Sequence, residues 1–433
     1  MHVGVGIIGA GNVGSGTIQI LIENARSIQE KLGFPLKIKA VCSRTILTKS
    51  IPGLDTSVVR TTNWQDVVSD PEVEIVAELI GGTGSASQII EAAFTARKSV
   101  VTANKELMAL RGAELWQSAI SCGVNIAMEA SVAGGIPIHS VLREGIAGDR
   151  VSGLFGILNG TSNFILTEIE RSSASFDSVL SDAQRLGYAE ADPSADVDGL
   201  DARSKLAILA ALAFGERLTP ADIFTEGIRR ILPVDFEYAH QLRHTIRLLC
   251  SARQGPHGLL LSVRPCLVPM STILANVTGA YNAIWVRGVY GEDTFYHGRG
   301  AGPLPTGVAV VSDLMKVARE IRFGSPSRVS PFAHERLGEY KPLPITEFES
   351  PYYLRFRVED RPGIIAELAT ILAMHKISID AILQLPSENW RDLPFVITTI
   401  PAREQSIREA LGEMKHAAYL IDSPLAMPME RGF

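Results

Sequence analysis

The stretch His2–Ile8 (HVGVGII) is an apolar, strand-like run that breaks at once into GAGNVG and then into the helical pattern SGTIQILIENARSI. No other short pattern in the chain constrains its fold as strongly. The glycines permit a tight turn and close backbone approach, and the helix N-terminus presents unpaired N–H groups to a pyrophosphate. Gly9, Ala10, Gly11, Asn12, Val13 and Gly14 are therefore the candidate dinucleotide contacts. A bare GxGxxG match is weak; the strand before it and the helix after it carry the reading.

The alternation continues downstream. Leu36–Cys42 (LKIKAVC) reads as a second strand followed by a polar loop, and Val73–Leu79 as another, ending in Gly81 and Gly82 before a helix from Ala86 to Ala96. Val100–Thr102 and Val124–Ala127 read as further strands joined by a helix that begins near Asn104. Strands alternating with helices imply a doubly wound parallel sheet of Rossmann type over residues 1–135. The amphipathic run DLMKVAREI, within 305–323, is expected to return and complete it.

Residues 136–304 read as a second α/β domain, with strands at Val151–Leu158, Leu259–Val268 and Ala283–Tyr290, a helix from Asn163 and a long helix after Leu200. The stretch 324–350 is rich in proline and serine and reads as a linker. Residues 351–433 then follow a βαββαβ order: Tyr352–Val358, Ile364–His375, Ile377–Leu385, Phe395–Ile400, Arg403–Met414 and a closing strand at Tyr419–Ile421.

A length of 433 residues predicts two to four domains. The net charge of −6, with no long basic run, offers no footprint for nucleic acid or an anionic membrane. The longest apolar run, Leu206–Phe214, falls short of the roughly 20 residues that span a bilayer, and no signal peptide precedes the first strand. A cytoplasmic protein with small-molecule partners is expected. Cys42, Cys122, Cys250 and Cys266 are widely spaced, with no CxxC pair, and read as reduced thiols.

An NAD site usually ends its second strand on an acidic residue that binds the ribose hydroxyls, whereas this strand ends Val41-Cys42-Ser43-Arg44. Arg44, assisted by Lys49, suits a 2′-phosphate, so NADPH is preferred over NADH; the competing reading is a solvated loop cation.

Two lysines stand where chemistry can use them. Lys105, in VVTANKELM, lies just past a strand end at the ligand-binding edge of a parallel sheet, although a surface lysine in a first helical turn fits the same residues. Lys205 follows the acidic run GYAEADPSADVDGLDARS and precedes LAILAALAF, a half-buried position suited to a general acid or base. Asp201 lies four residues earlier on the same helical face, a spacing that also describes a common exposed ion pair. A calcium loop beginning at Ser194 fails at both ends, since Ser194 and Lys205 occupy the positions of its carboxylate ligands. His240 and His244 lack the HExxH glutamate and read as structural residues on an amphipathic helix. No GxSxG supports acyl chemistry.

The segments GAGNVG, VVTANKELMA, MEASVAGGIPI, GILNGTSNFIL, LGYAEADPSADVDGLDARSKLAILA and GRGAGPLPTGVAVVSDL resemble the homoserine dehydrogenase family, in the family's order and across nearly the whole chain. The C-terminal βαββαβ segment, with its EDRPG turn, resembles an ACT domain, a module that often binds amino acids. The absence of a kinase segment ahead of the first strand points to the longer monofunctional bacterial form.

The resemblance implies reversible NAD(P)H-dependent reduction of L-aspartate 4-semialdehyde to L-homoserine, a step toward threonine and methionine. It places Lys205 on the family's catalytic lysine and Lys105 on a second lysine near the cofactor and reacting centre. Glu190 falls on the residue that binds the substrate's amino end, and Asp201 on its acidic partner. Glu129, with the carbonyls of Val132, Gly134 and Ile136, falls on a monovalent cation site such as one for Na+; Gly187 and Gly302 fall on cofactor contacts. Thr83 is a further expected cofactor contact, in a loop, GGTGSAS, that lacks the proline often found after this glycine pair. A homodimer through residues 136–304, or a homotetramer, and threonine as effector at the ACT-like domain are also implied. Two other classes compete: an aspartate-semialdehyde dehydrogenase, which needs a cysteine nucleophile, and a non-catalytic dinucleotide and amino-acid sensor.

Overall fold

The structure, a computed structural model, describes residues 2–255, 257–324, 331–339, 342–386 and 389–431. Two compact units divide the chain: Met1–Leu154 with Ser204–Asp222 and Asn282–Tyr340, and Phe155–Arg203 with Ile223–Tyr281 and Lys341–Phe433. Among the described residues no helix is long and apolar enough to cross a membrane.

The first unit is built on a parallel sheet whose strands run in the spatial order Val59–Thr61, Leu36–Cys42, Val3–Ile8, Ile75–Glu78, Ser99–Thr102, Ile126–Ala127. This is the doubly wound order with its switch point beside the first strand, where dinucleotides bind. Strand Val59–Thr61 and helix Trp64–Ser69 occupy what reads in sequence as a polar loop. The strand has three residues, lies at the sheet edge and exposes Val59, so no apolar alternation marks it. Helix Pro303–Phe323 packs on helix Asn12–Glu23, with Val310, Leu314 and Val317 joining the core of Val5, Ile7, Ile75 and Val101. The two helices approach so closely that a Cβ on Gly16 would stand 2.1 Å from the Pro303 carbonyl oxygen.

In the second unit, His244–Gly255 and Gly258–Pro269 form a long antiparallel hairpin, with Phe224–Thr225 parallel to its outer strand. His244 therefore opens a strand rather than sharing a helix with His240. Helix Pro233–Gln241 ends before it, and Arg243 turns the chain in the left-handed region, φ +58°. The misreading has a physical cause: Arg247, which looks solvent-facing in sequence, is buried and held by Glu170 at 2.9 Å and by the Ala275 carbonyl at 2.8 Å.

The C-terminal module of this unit is a four-stranded antiparallel sheet in the order Ile379–Leu383, Leu393–Thr399, Tyr352–Val358, Leu425–Pro428. Helices Ile364–Met374 and Glu404–Met414 cover one face around Phe356, Phe395 and Leu368. The closing strand is Leu425–Pro428, not Tyr419–Ile421. Asp422 is drawn to Arg357 at 2.9 Å, Ile421 is exposed, and Leu425 and Met427 supply the buried alternation that pairs with Tyr352–Arg355.

Candidate active site

Helix Asn12–Glu23 starts directly after the first strand, with Gly11 at its N-cap, no side-chain cap and no acidic residue in its first turn. Its positive end is therefore left for an anion. Gly9 has φ +109°, and a Cβ there would lie 2.5 Å from the Leu79 carbonyl oxygen; a Cβ on Gly14 would lie 1.9 Å from that of Gly9. Both positions hold the turn against the sheet. A Cβ on Gly11, by contrast, would meet nothing within 4 Å. Gly11→Ala is accordingly expected to leave the melting temperature unchanged while weakening dinucleotide binding about tenfold, read by fluorescence titration; equal affinity would remove Gly11 from the pyrophosphate cradle.

Ala10, Asn12 and Val13 lie in the same turn, and Arg44 stands exposed just past the second strand. Lys49 is already engaged with the Ala10 carbonyl at 2.7 Å and Ser15 Oγ at 2.8 Å, so it buttresses the turn. Thr83 is exposed at the N-cap of helix Gly84–Thr95.

Lys105 is half-buried in the first turn of helix Lys105–Cys122, at the carboxyl edge of the sheet. Asn104 fixes that turn, accepting from the Leu107 N–H at 3.1 Å and donating to the Gly82 carbonyl at 2.6 Å. Glu78 closes the same edge: its carboxylate accepts from the Thr102 hydroxyl at 2.7 Å and the Ile80 N–H at 2.9 Å. Sequence reasoning passed over Glu78 and Thr102; a carboxylate ending an apolar strand was the available signal.

The turn after Ile126–Ala127 carries Glu129, Val132, Gly134 and Ile136. Ala133 and Gly134 both adopt positive φ, +56° and +44°, which curls the backbone tightly. The Glu129 carboxylate accepts from the His139 N–H and the Ser140 N–H, each at 2.9 Å, and from Ser140 Oγ. Among the described residues no group of three or more His, Cys, Asp or Glu side chains forms a metal cluster. A carboxylate with backbone carbonyls is an all-oxygen donor set, which suits a hard cation. Buried beside it, Asp313 accepts from the Glu129 N–H at 2.8 Å; burial, reinforced by Glu129, pushes its carboxyl up to about 7. His139 is fully buried with both ring nitrogens unpartnered, and burial holds it down at about 4. Gly302 caps the long helix Pro303–Phe323 in the same unit, φ +127°.

In the second unit, the acidic run is sorted residue by residue. Gly187 turns the chain at φ +79° and Glu190 is exposed on the loop that follows. Gln184 donates to the Glu190 carbonyl at 3.0 Å, Thr161 donates to the Tyr188 carbonyl at 2.6 Å, and Tyr188 stacks on Phe164, centroids 4.5 Å apart. The Ser194 hydroxyl and N–H hold the Asp192 carboxyl below the usual range, and Asp198 is forked by Arg229. Asn159 Nδ2 donates to Asp196 at 2.6 Å and to Asp201 at 2.8 Å, while its Oδ1 caps helix Gly160–Ser172 through the Ser162 N–H at 2.8 Å. That cap starts the helix at Gly160, ahead of the Asn163 expected from sequence. Asp192, Asp196, Asp198 and Asp201 thus each have a specific partner.

Asp201 and Lys205 sit one turn apart on helix Leu200–Phe214, and each is 8% exposed. Lys205 is more deeply placed than the half-burial expected. The cysteines offer no activated nucleophile: Cys250 is buried, burial pushes the thiols of Cys42 and Cys266 up, and Cys122 ends helix Lys105–Cys122, where the negative end of the helix dipole opposes a thiolate. This removes the aspartate-semialdehyde dehydrogenase reading.

A parallel sheet of this order with a bare helix N-terminus at its glycine turn, on a chain that also carries a buried lysine and a buried aspartate on helix Leu200–Phe214, defines an NAD(P)-dependent oxidoreductase. Family models narrow this further: residues 137–315 match homoserine dehydrogenase, 9–129 its NAD-binding domain, and 352–415 the ACT domain. The homoserine dehydrogenase of Pseudomonas aeruginosa is 41% identical over 415 residues, covering 95% of each chain, and that of Neisseria gonorrhoeae is 38% identical over 427 residues, covering 98% of each. A solved homoserine dehydrogenase from Thiobacillus denitrificans superposes with a TM-score of 0.92 at 39% identity, covering 99% of this chain and 98% of that one. A hyperthermophilic archaeal homoserine dehydrogenase in complex with NADPH covers 73% of this chain and 98% of its own, at 26% identity and a TM-score of 0.62. The chain belongs to the homoserine dehydrogenase family. It is an enzyme that interconverts L-aspartate 4-semialdehyde and L-homoserine with a nicotinamide dinucleotide.

Proposed function

We propose that Lys205 is the proton donor of this reaction and that Asp201 and Glu190 hold the substrate. The observation that carries the reading is the burial of Lys205 at the head of an apolar run, supported by Asp201, which is buried and fixed by the Asn159 amide. The dinucleotide, held by its pyrophosphate at the glycine turn, would supply the hydride to the carbonyl carbon. As the oxygen gains negative charge, the Lys205 ammonium meets it and gives it a proton, and Lys105 adds a second positive charge near the reacting centre. Glu190 binds the substrate ammonium from its loop, so that the carbonyl is oriented before reaction.

The cofactor we propose is NADPH, with Gly9, Ala10, Gly11, Asn12, Val13 and Gly14 around the pyrophosphate and Arg44 on the 2′-phosphate. Thr83, Lys105, Gly187 and Gly302 complete its contacts. No carboxylate stands at the end of the second strand, and Lys49 is occupied within the turn, so Arg44 carries the selectivity. Arg44→Ala is expected to lower kcat/KM for NADPH about tenfold or more and to change that for NADH by less than twofold. Parallel losses with both cofactors would sink the assignment.

Glu129 with the carbonyls of Val132, Gly134 and Ile136 would hold a monovalent cation such as Na+, which would steady the turn between the two lysine-bearing regions of the sequence. The ACT-like module is proposed to bind an amino-acid effector, threonine foremost, and the active form to be a homodimer or homotetramer in the cytoplasm. A module retained on a catalytic chain, with a βαββαβ fold of its own, supports the regulatory reading over that of a passive appendage.

A further inference from the structure

Segment 331–339 falls in a stretch that reads in sequence as a linker, yet it is folded onto helix Lys105–Cys122 and onto the part of helix Leu200–Phe214 that belongs to the same unit. Phe332 is 2% exposed, and a Cβ on Gly112, in the middle of helix Lys105–Cys122, would stand 2.7 Å from its Cζ. His334 donates from Nε2 to the Leu212 carbonyl at 3.1 Å, which satisfies one of the carbonyls that the last turn of helix Leu200–Phe214 leaves over. Just past that helix end, the Gly338 N–H donates to the Gly215 carbonyl at 2.7 Å and the Arg217 N–H to the Gly338 carbonyl at 2.8 Å, a parallel bridge that fastens the segment at its far end.

Phe332 is the wedge between the two helices. With Met108 and Gly112 from one and Ala207, Ile208 and Ala211 from the other, it walls a gap of about 30 Å³, room for about two waters. Glycine on one helix and alanines on the other leave space that the ring fills. Gly112 lies about two turns beyond Lys105, and Ala211 about as far beyond Lys205, so the ring meets each helix ~10 Å along from its lysine. Helices move as rigid elements over such a length, and a displacement at the ring is therefore carried to the lysines.

We propose that segment 331–339 is a positioning element of the reaction, in which Phe332, wedged between the two helices, sets how far the Lys105 and Lys205 ammonium groups stand from each other. The inference rests on the assignment of those two lysines to the reacting centre and adds the part that spaces them. Two cations must meet one developing alkoxide, and a misplacement of about 1 Å costs up to about 10²-fold in rate. The glycine turn follows a different strand and opens a different helix, so the wedge governs turnover rather than cofactor affinity.

The test is a size exchange at the Gly112–Phe332 contact in the full chain, read by NADPH oxidation with aspartate semialdehyde. Gly112→Ala drives a methyl into the ring and is expected to lower kcat about tenfold or more, with the KM for NADPH within about twofold of the parent. Phe332→Leu is expected to lower kcat about threefold to tenfold, and because it adds no atoms it keeps the test in force if Gly112→Ala does not fold. In Gly112→Ala/Phe332→Leu the smaller side chain makes room for the added methyl, and kcat is expected to return to within about twofold of the parent. A residue that only holds the fold together would lower the melting temperature and leave the kcat of the folded enzyme unchanged. Parent-like kcat in Phe332→Leu or Gly112→Ala, or a loss that the double variant does not recover, would overturn the wedge; with Lys205→Met still impaired, the lysine assignment would stand. Parent-like kcat in Lys205→Met would overturn the lysine assignment and the wedge with it.

Discussion

Lys205→Met is expected to lower kcat by about 10²–10⁴-fold, the usual worth of a positioned general acid, with the chain still folded. Lys205 is 8% exposed on a helix whose following residues, Leu206 to Leu209, are all buried, so its stem is already part of an apolar core. Methionine keeps an unbranched side chain of similar length and loses the ammonium, which separates chemistry from packing. The KM for aspartate semialdehyde should move by only a few-fold, because Glu190 and Asp201 remain. NADPH absorbance at saturating semialdehyde, with near-UV dichroism for the fold, measures both. A variant retaining more than a tenth of the parent kcat would move proton donation to another group, with Lys105 the next to replace.

The dinucleotide half of this molecule was legible because its determinants are local. GAGNVG sits between a strand and a helix that each announce themselves by period, and Leu36–Cys42 carries its own apolar alternation, as Tyr352–Val358 does in the C-terminal module. What escaped was set by distant partners. Arg247 looks like a surface residue until Glu170 and the Ala275 carbonyl satisfy it, and with it the strand His244–Gly255 disappears into a helical pattern. Val59–Thr61 is too short to show a period, and Leu425–Pro428 is read as a tail until Tyr352–Arg355 gives it a neighbour. The site divides the same way. Lys205 and Asp201 stand out by charge beside an apolar run, whereas Glu78, Asn159 and Asp313 become visible once their partners are known: the Thr102 hydroxyl, a pair of aspartates, and the Glu129 N–H. The resemblance to the family supplied roles for Glu190 and Glu129 that no spacing in the chain implied.

Asp235→Ala is expected to destabilise the second unit by about 3–5 kcal/mol, the cost of breaking a buried ion pair from one side. Asp235 is fully buried in the first turn of helix Pro233–Gln241, and Arg355, on the central strand of the C-terminal module, is nearly so. The carboxylate takes three donors at once: Arg355, the Tyr353 hydroxyl at 2.8 Å and the Leu232 N–H at 2.8 Å. Burial pushes the Asp235 carboxyl up while Arg355 pulls it back, so each half of the pair depends on the other. Alanine leaves a guanidinium out of water with the Arg230 carbonyl as its remaining acceptor at 3.2 Å, together with a stranded hydroxyl and a lost helix-start bond. Arg355→Met should cost less, because the carboxyl left behind can take up a proton and keep its bonds to Tyr353 and Leu232. The double variant Asp235→Ala/Arg355→Met should recover most of the loss, since apolar replacement of both partners removes the unmet charge. Thermal unfolding of the three variants reads the order directly, with a drop of about 10 °C for Asp235→Ala at this unit's size. A melting temperature within a degree or two of the parent would mean that the contacts of Tyr353 and Arg355 with Asp235 do little to fasten the module to helix Pro233–Gln241. Other contacts, among them Arg264 on Glu404, Arg253 on Glu430 and Arg230 on the Ser423 and Pro424 carbonyls, would then have to hold it.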